Sequence, residues 1–418
     1  MALQSINRPR ACLLGALAAA LDAVNGRAAV RRALTASECP GAVWSIAIGK
    51  AAESMTLGAL DVLGGQVRGG LLIAKAPPAD LESLRARGID CLTGGHPLPT
   101  AASLAAGERL LDTLARTPAD ATLLFLLSGG ASSLVEVAAP GIELADLHAV
   151  NRWLLGSGLP IGAINRVRTA LSRIKGGGLL AALPERPVRA LAISDVPGDD
   201  PAVIGSGLLV PATDLKRCLR DLALPDWVRE RADRGLAARP PRPPAGPPIA
   251  LVATLDLAKS AAAQAARAAG LRVRIAPGFL DGDAAERGRA LARQLLDGPP
   301  GLTVWGGETT VRLPPQPGRG GRNQHLALAA ALELAGRDDG FLLAAGTDGD
   351  DGNSGDAGAL VDGGTLARAA LDGADSLARA DSATLLAASG DPIHTGPTGT
   401  NVMDLVLGLK LDATPTDT

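Results

Sequence analysis

Aromatic side chains are scarce in this 418-residue chain: there is no tyrosine, and aromatic residues make up 2% of it. Proteins that hold single-stranded nucleic acid stack bases on aromatic rings beside clusters of lysine and arginine. No basic cluster coincides with an aromatic platform in this sequence, and the net charge is only -2. We therefore expect no nucleic-acid partner.

Cysteine and histidine are also rare, with four of each. Cys12, Cys39, Cys91 and Cys218 are scattered and form no Cys-x-x-Cys pair, which argues against zinc and redox motifs. The histidines have no metal-ligand spacing either. In a long chain without a clear export signal, we expect the four cysteines to be free and mostly buried.

Long hydrophobic runs are missing as well, and none reaches the length that spans a membrane. The apolar stretch over residues 12–21, after two arginines, superficially resembles a signal peptide. However, Leu13, Leu17 and Val24 recur at helical spacing, and the helical pattern continues to Leu34. The sequence thus predicts an amphipathic first helix in a cytoplasmic protein without a membrane partner.

Short apolar runs that end in glycine or polar residues alternate with longer Ala/Leu-rich helical patterns. This alternation predicts an α/β fold with mainly parallel sheets. The predicted strands cover residues 43–48, 70–74, 123–127, 190–193, 249–253, 271–276, 302–305 and 341–345.

A proline-dense run divides these strands into two sets. Residues 239–248 contain six prolines, which neither a helix nor a central strand accommodates. We therefore predict an N-terminal domain over residues 1–238, a linker over 239–248 and a C-terminal domain over 249–418. The length of the chain is in keeping with two or three domains.

Three closely spaced carboxylates, Asp348, Asp350 and Asp351, follow the predicted strand at 341–345. They repel one another unless a cation or solvent offsets their charge. Loops at the carboxyl ends of strands are where open α/β sheets bind ligands, so this loop predicts a Mg²⁺ site. A calcium loop of the EF-hand type does not fit, because Gly352 and Asn353 occupy positions that need a ligand and then a glycine.

Two glycine turns could hold phosphate. Residues 128–133, which include Ser128, Gly129, Gly130 and Ser132, follow a clean strand but lack the pattern of a nucleophile elbow. Lys50 lies in a second strand-end turn that does not match a Walker A loop. When each segment is taken alone, the ordinary interpretations are favoured: a strand–helix turn for residues 128–133 and a solvated side chain for Lys50.

Several other polar clusters also lie in predicted turns. Each has a plain structural interpretation, such as a helix cap or a hydrogen-bonded turn. They are Glu308 and Asp195 at strand ends, Arg322 and Asn323 before a helix, His96 in a Gly-Gly-His-Pro turn, and Thr398, Gly399 and Asn401 in a glycine- and hydroxyl-rich loop over residues 395–404.

Taken together, these clusters resemble one family, the glycerate 2-kinases of the MOFRL type. The resemblance covers almost the whole chain, and the segments occur in the family's order. The matching segments are residues 48–52, 95–99, 127–133, 174–177, 194–196, 307–311, 320–324, 346–349 with 351–352, and 395–401.

Three departures from the family pattern bear on substrate preference rather than on the reaction. Thr100 stands where an acidic residue usually follows His-Pro-x-Pro, and His325 stands where glutamate usually follows Arg-Asn-Gln. Residues 353–356 also differ in detail.

The resemblance implies ATP-dependent phosphorylation of D-glycerate to 2-phosphoglycerate with Mg²⁺. It also implies two α/β domains, one a Rossmann-like three-layer α/β/α domain and the other with a mixed sheet, with the active site in the cleft between them. It leaves a homodimer open. Such phosphoryl transfer needs positioning and charge neutralisation rather than covalent chemistry from the protein.

These expectations give each candidate residue a role. Lys50 would neutralise the transferring phosphoryl group, Arg322 would bind that group or the glycerate carboxylate, and Asp195 would orient or deprotonate the 2-hydroxyl. Asp348, Asp351 and Glu308 would hold Mg²⁺. The substrate or phosphate would be lined by Ser128, Gly129, Gly130, Ser132, His96, Asn323, Thr398, Gly399 and Asn401.

Two other function classes remain as alternatives. An NAD(P)H-dependent hydroxypyruvate reductase should show Gly-x-Gly-x-x-Gly at its first strand–helix turn, whereas this chain has Gly49-Lys50-Ala51-Ala52 there. A non-catalytic protein that binds a sugar acid or a nucleotide would not need so many strand ends equipped with acids.

Overall fold

The computed structural model describes residues 2–37, 39–183, 186–239 and 245–412. Its helices are α1 (Ala2–Val24), α2 (Gly26–Ala36), α3 (Ala52–Leu63), α4 (Leu81–Ala86), α5 (Ala101–Arg116), α6 (Ala131–Leu134), α7 (Leu144–Gly156), α8 (Ile161–Ala170), α9 (Leu215–Arg220), α10 (Asp226–Ala237), α11 (Leu255–Ala268), α12 (Ala284–Asp297), α13 (Arg322–Leu334), α14 (Thr365–Ala369), α15 (Gly373–Ala378) and α16 (Ser382–Ser389). Its strands are β1 (Val43–Ile48), β2 (Val67–Ala74), β3 (Ile89–Thr93), β4 (Thr122–Leu127), β5 (Val188–Ile193), β6 (Ile249–Ala253), β7 (Val273–Ile275), β8 (Gly301–Gly307), β9 (Gly340–Gly346), β10 (Gly358–Asp362), β11 (Pro392–Ile393) and β12 (Asp404–Lys410).

The chain forms two compact units. Residues 26–252 form one, which we call the parallel-sheet unit, and residues 1–25 with 253–418 form the other, the mixed-sheet unit.

The parallel-sheet unit contains a six-stranded sheet in the order β3-β2-β1-β4-β5-β6. Strands β1 to β5 run parallel to one another. Every residue of β4 is buried, so both faces of the sheet are covered, as parallel sheets require. This is the strand order of dinucleotide-binding folds. From β1 the chain first adds strands on one side and then, with β4, on the other, so the strand order reverses between β1 and β4. The predicted Rossmann-like domain is confirmed.

The mixed-sheet unit contains a second six-stranded sheet, in the order β11-β10-β9-β12-β8-β7. Strand β12 lies between β8 and β9 and runs antiparallel to both, with Asp404 opposite Gly307 and Gly346. The amino end of β12 therefore lies at the same sheet edge as the carboxyl ends of β8 and β9. The prediction of a mixed sheet is confirmed, and this reversed strand positions the polar residues described below.

The predicted strands all occur, with ends that differ by a few residues. Four further strands, β3, β10, β11 and β12, have no counterpart in the prediction. Strand β3 is only partly buried and contains Asp90, and β11 has two residues, so neither shows a strong apolar run. The apolar stretch of β12 was noticed in the sequence without being assigned as a strand.

The amphipathic first helix is confirmed as α1, which buries Leu13, Leu17 and Val24 and leaves Leu14 exposed. Within the described ranges, no single helix has the length and apolar character to cross a membrane. The consecutive segments Arg8–Val24 and Gly26–Ala36, bent by 46°, meet that test together, by length and composition only. The four cysteines are free, as expected, but only Cys39 is buried.

The division of the chain differs from the predicted domain boundaries at both ends. Helix α1 packs on α11 in the mixed-sheet unit, where Arg10 binds Asp362 at 2.6 Å and Asp391 at 2.8 Å. After the proline-dense run, β6 joins the parallel sheet beside β5. The proline-rich composition shows where the chain cannot form a helix or a central strand. Which unit a segment joins is decided by its packing, as for α1, or by its strand pairing, as for β6. Residues 240–244 of the predicted linker lie outside the described residues.

Candidate active site

The turns after β1 and β4 meet where the strand order of the parallel sheet reverses. The Lys50 N–H donates to the Gly129 carbonyl at 2.8 Å, and the Ala51 N–H donates to Ser128 Oγ at 3.0 Å. A Cβ atom on Gly49 would lie 2.2 Å from Ser128 Oγ, so only glycine permits this approach. Ser128 is thus fully buried and holds the two turns together, whereas we predicted that it contacts substrate or phosphate.

Gly130 lies between two of the predicted site residues. Its backbone is left-handed, with φ of 83°, and a Cβ atom there would lie 3.3 Å from both Lys50 Cγ and His96 Cδ2. The structure therefore brings Lys50, Gly130 and His96 together at the place where parallel sheets of this order bind ligands. The three residues follow the ends of three different strands, β1, β4 and β3.

Ser132 and Asp195 lie further along the same sheet edge. The Ser132 hydroxyl forms a hydrogen bond with the hydroxyl of Ser206. Asp195 lies two residues beyond the end of β5 and is half-buried.

A pocket of about 600 Å³, which includes solvent at its mouth, opens beside Gly130. Its walls come from the turn after β3, helix α6 and the facing sides of α7 and α8. The polar side chains that line it are His96, Ser132, Ser133, Glu136, Asn151, Arg168 and Lys175. Such a concave site with a few convergent polar groups is typical of a small-molecule site.

A second polar cluster lies at the carboxyl edge of β8 and β9 in the mixed-sheet unit. The Arg322 guanidinium donates to both oxygens of Asp404, at 2.5 and 2.9 Å, and its Nη1 lies 2.7 Å from Glu308 Oε1. The antiparallel register of β12 explains the contact, because it brings Asp404 beside the residues that follow Gly307 and Gly346.

Burial and ion pairing shift the pKa values of this cluster in opposite directions. Burial raises the pKa of Asp404, and the nearby charge of Asp348 raises it further, while Arg322 opposes both effects. Burial alone would lower the pKa of Arg322, but its pairs with Asp404 and Glu308 raise it. Two carboxylates, Asp404 and Glu308, thus pair with one guanidinium, and a third, Asp348, lies close enough to Asp404 to raise its pKa. The acids of this cluster outnumber its one cation.

Asp351 caps helix α13. Its oxygens accept from the N–H groups of Asn323 at 3.0 Å and Gln324 at 2.8 Å, and Asn323 Nδ2 adds a third bond at 3.3 Å. Burial raises the pKa of Asp351 to about 7, although the N–H groups of Gln324 and Asn323 lower it. With both oxygens engaged, Asp351 is poorly placed for the Mg²⁺ role that we predicted.

The predicted binding residues of the last loop mostly connect backbone segments. Thr398 Oγ1 donates to the Thr347 carbonyl at 2.5 Å, and Asn401 Oδ1 accepts from the Met403 N–H at 3.3 Å. Gly399 adopts a left-handed φ of 71°, and Met403, just before Asp404, has the same φ although it is not glycine. Backbone strain of this kind costs on the order of 1–3 kcal/mol and is concentrated at functional sites.

The residues present allow only one kind of Mg²⁺ site. Among the residues that the structure describes, no group of three or more His, Cys, Asp or Glu side chains is arranged to hold a metal. Mg²⁺ bound with a nucleotide usually takes one or two carboxylates and completes its shell with water and phosphate oxygens. The half-buried Asp348 and the exposed Glu308 fit that mode because solvent and phosphate can reach them, whereas Asp351 and Asp404 are buried and both oxygens of each accept from N–H donors.

Sequence reasoning missed several residues of these two clusters. Asp404 ends the hydroxyl-rich loop and directly precedes an apolar stretch, which was a usable signal. Lys175 lies in one of the family-like segments but received no role. Arg168 lies on the apolar side of α8, between Ile164 and Leu171, and a lone cation on an apolar helix face was the only signal for it.

Comparison with known proteins fits this geometry. A family model described as a domain of unknown function, DUF4147, matches residues 12–230, and the MOFRL family model matches residues 301–404. A D-glycerate 2-kinase from Thermotoga maritima is 36% identical over 384 residues, covering 87% of this chain and 89% of that protein. The chain belongs to the MOFRL-type glycerate 2-kinase family.

Solved structures and further relatives agree with this family. The crystal structure of a Thermotoga maritima glycerate kinase superposes with a TM-score of 0.83 and 33% identity, covering 97% of this chain and 100% of that one. A glycerate 2-kinase from Pyrococcus horikoshii is 33% identical and covers 89% of this chain and 88% of its own length. A relative from Agrobacterium vitis named as a putative hydroxypyruvate reductase is 40% identical, with 76% of each chain covered.

Proposed function

We propose that this protein transfers the γ-phosphoryl group of ATP to the 2-hydroxyl of D-glycerate and releases 2-phospho-D-glycerate. The observation that carries the proposal is the position of Lys50, in a glycine-rich turn where the parallel sheet reverses its strand order. The kinase names of the full-length relatives support the same reaction.

The parallel-sheet unit would supply the charge and orientation that phosphoryl transfer needs. Lys50 would offset the negative charge on the transferring phosphoryl group, which is the main demand of this chemistry. The main-chain groups of Gly129 and Gly130 would allow close approach of substrate. Asp195, at the end of β5, would orient the 2-hydroxyl or accept its proton, and His96 would contact the substrate.

The mixed-sheet unit would supply the metal side of the reaction. Mg²⁺, when bound, neutralises and orients the phosphates of ATP. Asp348 and Glu308 are the residues that would hold it. We assign Arg322 a different role from the predicted one, because its guanidinium already binds two carboxylates: it would keep Glu308 and Asp404 in place. A cytoplasmic location and a homodimer stay predictions.

Phosphorus NMR of the product from D-glycerate, ATP and Mg²⁺ tests the proposal. We expect equal amounts of ADP and of a phosphate monoester on the secondary hydroxyl, whose phosphorus couples to a single proton. A product with phosphorus coupled to two methylene protons would move the reaction to the 3-hydroxyl. If the reaction formed no more ADP than a control reaction without D-glycerate, kinase activity would be rejected.

The second candidate is an NAD(P)H-dependent hydroxypyruvate reductase, which the name of the Agrobacterium vitis relative favours. The turn after β1 argues against it, since Gly49-Lys50-Ala51-Ala52 lacks the glycine pattern for a pyrophosphate. Oxidation of NADH or NADPH with hydroxypyruvate, followed by the loss of absorbance of the reduced nicotinamide, would support this candidate. Binding of glycerate without turnover in either assay would instead indicate a non-catalytic binding protein.

A further inference from the structure

The pocket beside Gly130 contains one carboxylate and two strong cations among its described lining residues. Glu136 and Lys175 are buried and form an ion pair of 2.5 Å. The other oxygen of Glu136 accepts from Ser172 Oγ at 2.6 Å and from the Val137 N–H at 3.0 Å. Glu136 is therefore fully engaged, and the charges of Glu136 and Lys175 cancel.

Arg168 is the cation that this pair does not neutralise. Its Nε donates to Asn151 Oδ1 at 2.7 Å, and Asn151 is itself fixed because its Nδ2 donates to the Leu147 carbonyl at 2.8 Å. Arg168 makes no ion pair with any residue in the described part of the chain. Burial lowers the pKa of Arg168, which is the expected effect on a cation that lacks a counter-charge.

The surroundings of Arg168 suit an incoming carboxylate. A partly buried cation without an acid is costly to desolvate, and an anionic ligand offsets that cost. A guanidinium forms paired hydrogen bonds with planar carboxylates, and one edge of Arg168 is already held by Asn151. The same pocket is lined by Gly130, which lies against Lys50 and His96.

We propose that Arg168, held by Asn151, binds the carboxylate of the phosphoryl acceptor, so that this pocket selects short hydroxy acids over neutral polyols. This inference rests on the proposed kinase function, which it deepens. The carboxylate at Arg168 would leave the hydroxyl groups of the acceptor toward Gly130 and Lys50. It also transfers to Arg168 the carboxylate-binding role that the sequence suggested for Arg322.

Replacement of Arg168 by glutamine tests the proposal by the dependence of turnover on D-glycerate. We expect the KM for D-glycerate to rise about 10- to 150-fold, the range for loss of a hydrogen bond to a charged group. The KM for ATP should stay unchanged. D-glyceramide, which has an amide in place of the carboxylate, should be a poor acceptor for the wild type. Its KM should rise little further with R168Q.

The controls separate a binding role from a structural one. Arg166→Gln removes an exposed arginine from the same helix and should leave both KM values unchanged. Arg168→Lys keeps the charge but not the planar fork, so its KM for D-glycerate should lie between those of wild type and R168Q. This second variant also serves if R168Q does not fold.

The possible failures can be told apart. If wild-type protein forms ADP with D-glycerate and R168Q keeps the wild-type KM, the assignment of Arg168 is wrong while the kinase proposal stands. An equal rise of KM for D-glycerate and D-glyceramide would also overturn it. If wild-type protein shows no turnover, calorimetric titration with D-glycerate decides: binding that R168Q loses supports the subsite, and equal binding or none rejects it.

Discussion

Two partly buried arginines of this protein have opposite electrostatic surroundings. Arg322, in the mixed-sheet unit, donates to Asp404 and Glu308. Arg168, in the parallel-sheet unit, donates to the neutral Asn151 and has no ion pair among the described residues. An arginine between carboxylates serves as a counter-charge for acids of the protein, while an arginine without them can receive an acid from outside.

The comparison shows that motif membership does not settle which arginine binds an anion. Arg322 lies in a glycine-rich segment that resembles the family, and so it was predicted to bind phosphate or carboxylate. The structure surrounds it with more negative than positive charge, which favours a cation nearby. Arg168 belongs to no recognised motif, yet its surroundings are those of an anion receptor.

The largest expected effect is on stability, and it should differ between variants of the two arginines. Arg322→Gln leaves the fully buried Asp404 without its partner, so we expect the free energy of unfolding to fall by about 3–5 kcal/mol. R168Q loses one hydrogen bond to a neutral amide and should cost about 1 kcal/mol. Urea denaturation followed by circular dichroism measures both.

A double variant is the matched control for this prediction. R322Q with Asp404→Asn removes both charges and should recover much of the lost stability. Equal losses for R322Q and R168Q would show that the two arginines are not in different electrostatic surroundings.

The next largest effect concerns catalysis in the parallel-sheet unit. Lys50→Ala should lower kcat by about 10²- to 10³-fold, the usual cost of removing one group that stabilises transition-state charge. Stability should change little, because Lys50 is not buried in the core. ADP formation under saturating substrates measures kcat.

Lys75→Ala provides a control at a neighbouring strand end. Lys75 directly follows β2 and is exposed, just as Lys50 follows β1, but it lies away from the point where strand order reverses. We expect K75A to retain wild-type turnover. Comparable activity of K50A and K75A would remove Lys50 from the mechanism.

Asp351, in the polar cluster of the mixed-sheet unit, should also make the stability of the protein depend on pH. The pKa of Asp351 rises from 3.8 to about 7 on folding because its carboxyl group is buried. Between these values the folded state retains a proton that the unfolded chain has lost, so stability falls as pH rises, by at most about 1.4 kcal/mol per pH unit.

Asp351→Asn removes this titration and should flatten the slope between about pH 4 and 7. Urea denaturation at several pH values measures it. Parallel pH profiles for wild type and D351N would show that Asp351 is ionised in both states across this range. Such a result would make the mixed-sheet cluster still more negative than we infer, and so would sharpen its contrast with the Arg168 pocket.

The smallest effect tests an arginine that shares its carboxylates with another arginine. Arg10→Ala removes the contacts of α1 with Asp362 and Asp391, but Arg368 still binds these two at 2.7 and 2.8 Å. We therefore expect a loss of about 1 kcal/mol, well below that of R322Q. Amide hydrogen exchange should increase in α1 and α11 and not in the parallel-sheet unit. A loss as large as that of R322Q would mean that Arg368 does not compensate.

Much of the fold could be predicted because its signals are local. The strands of both sheets are short apolar runs with glycine or polar residues at their ends, and the buried face of α1 has helical spacing. Strands β3 and β11 were missed because they are partly polar or very short, whereas β10 is fully buried and the apolar run over residues 359–361 was a usable signal for it. The domain boundaries could not be predicted from composition, since α1 and β6 join their units through contacts with residues far away in sequence.

The candidate site was predictable only as a set of positions. Lys50, His96 and Gly130 were expected in a site and do lie together. Ser128 and Asn323 were also selected, but they are buried and hold turns or acids in place. Glycine-rich turns require such supporting residues as well as ligand-binding ones, and the pattern alone does not distinguish them.

The sequence by itself determined where strands end in glycine and polar residues, because backbone approach and turn geometry depend on neighbouring residues. Only the tertiary structure decided how those ends are used. The reversed direction of β12 places Asp404 against Arg322, and the packing of α7 and α8 leaves Arg168 beside Asn151 without an acid. The charge balance around a side chain is set by residues distant in sequence, and their proximity exists only after folding.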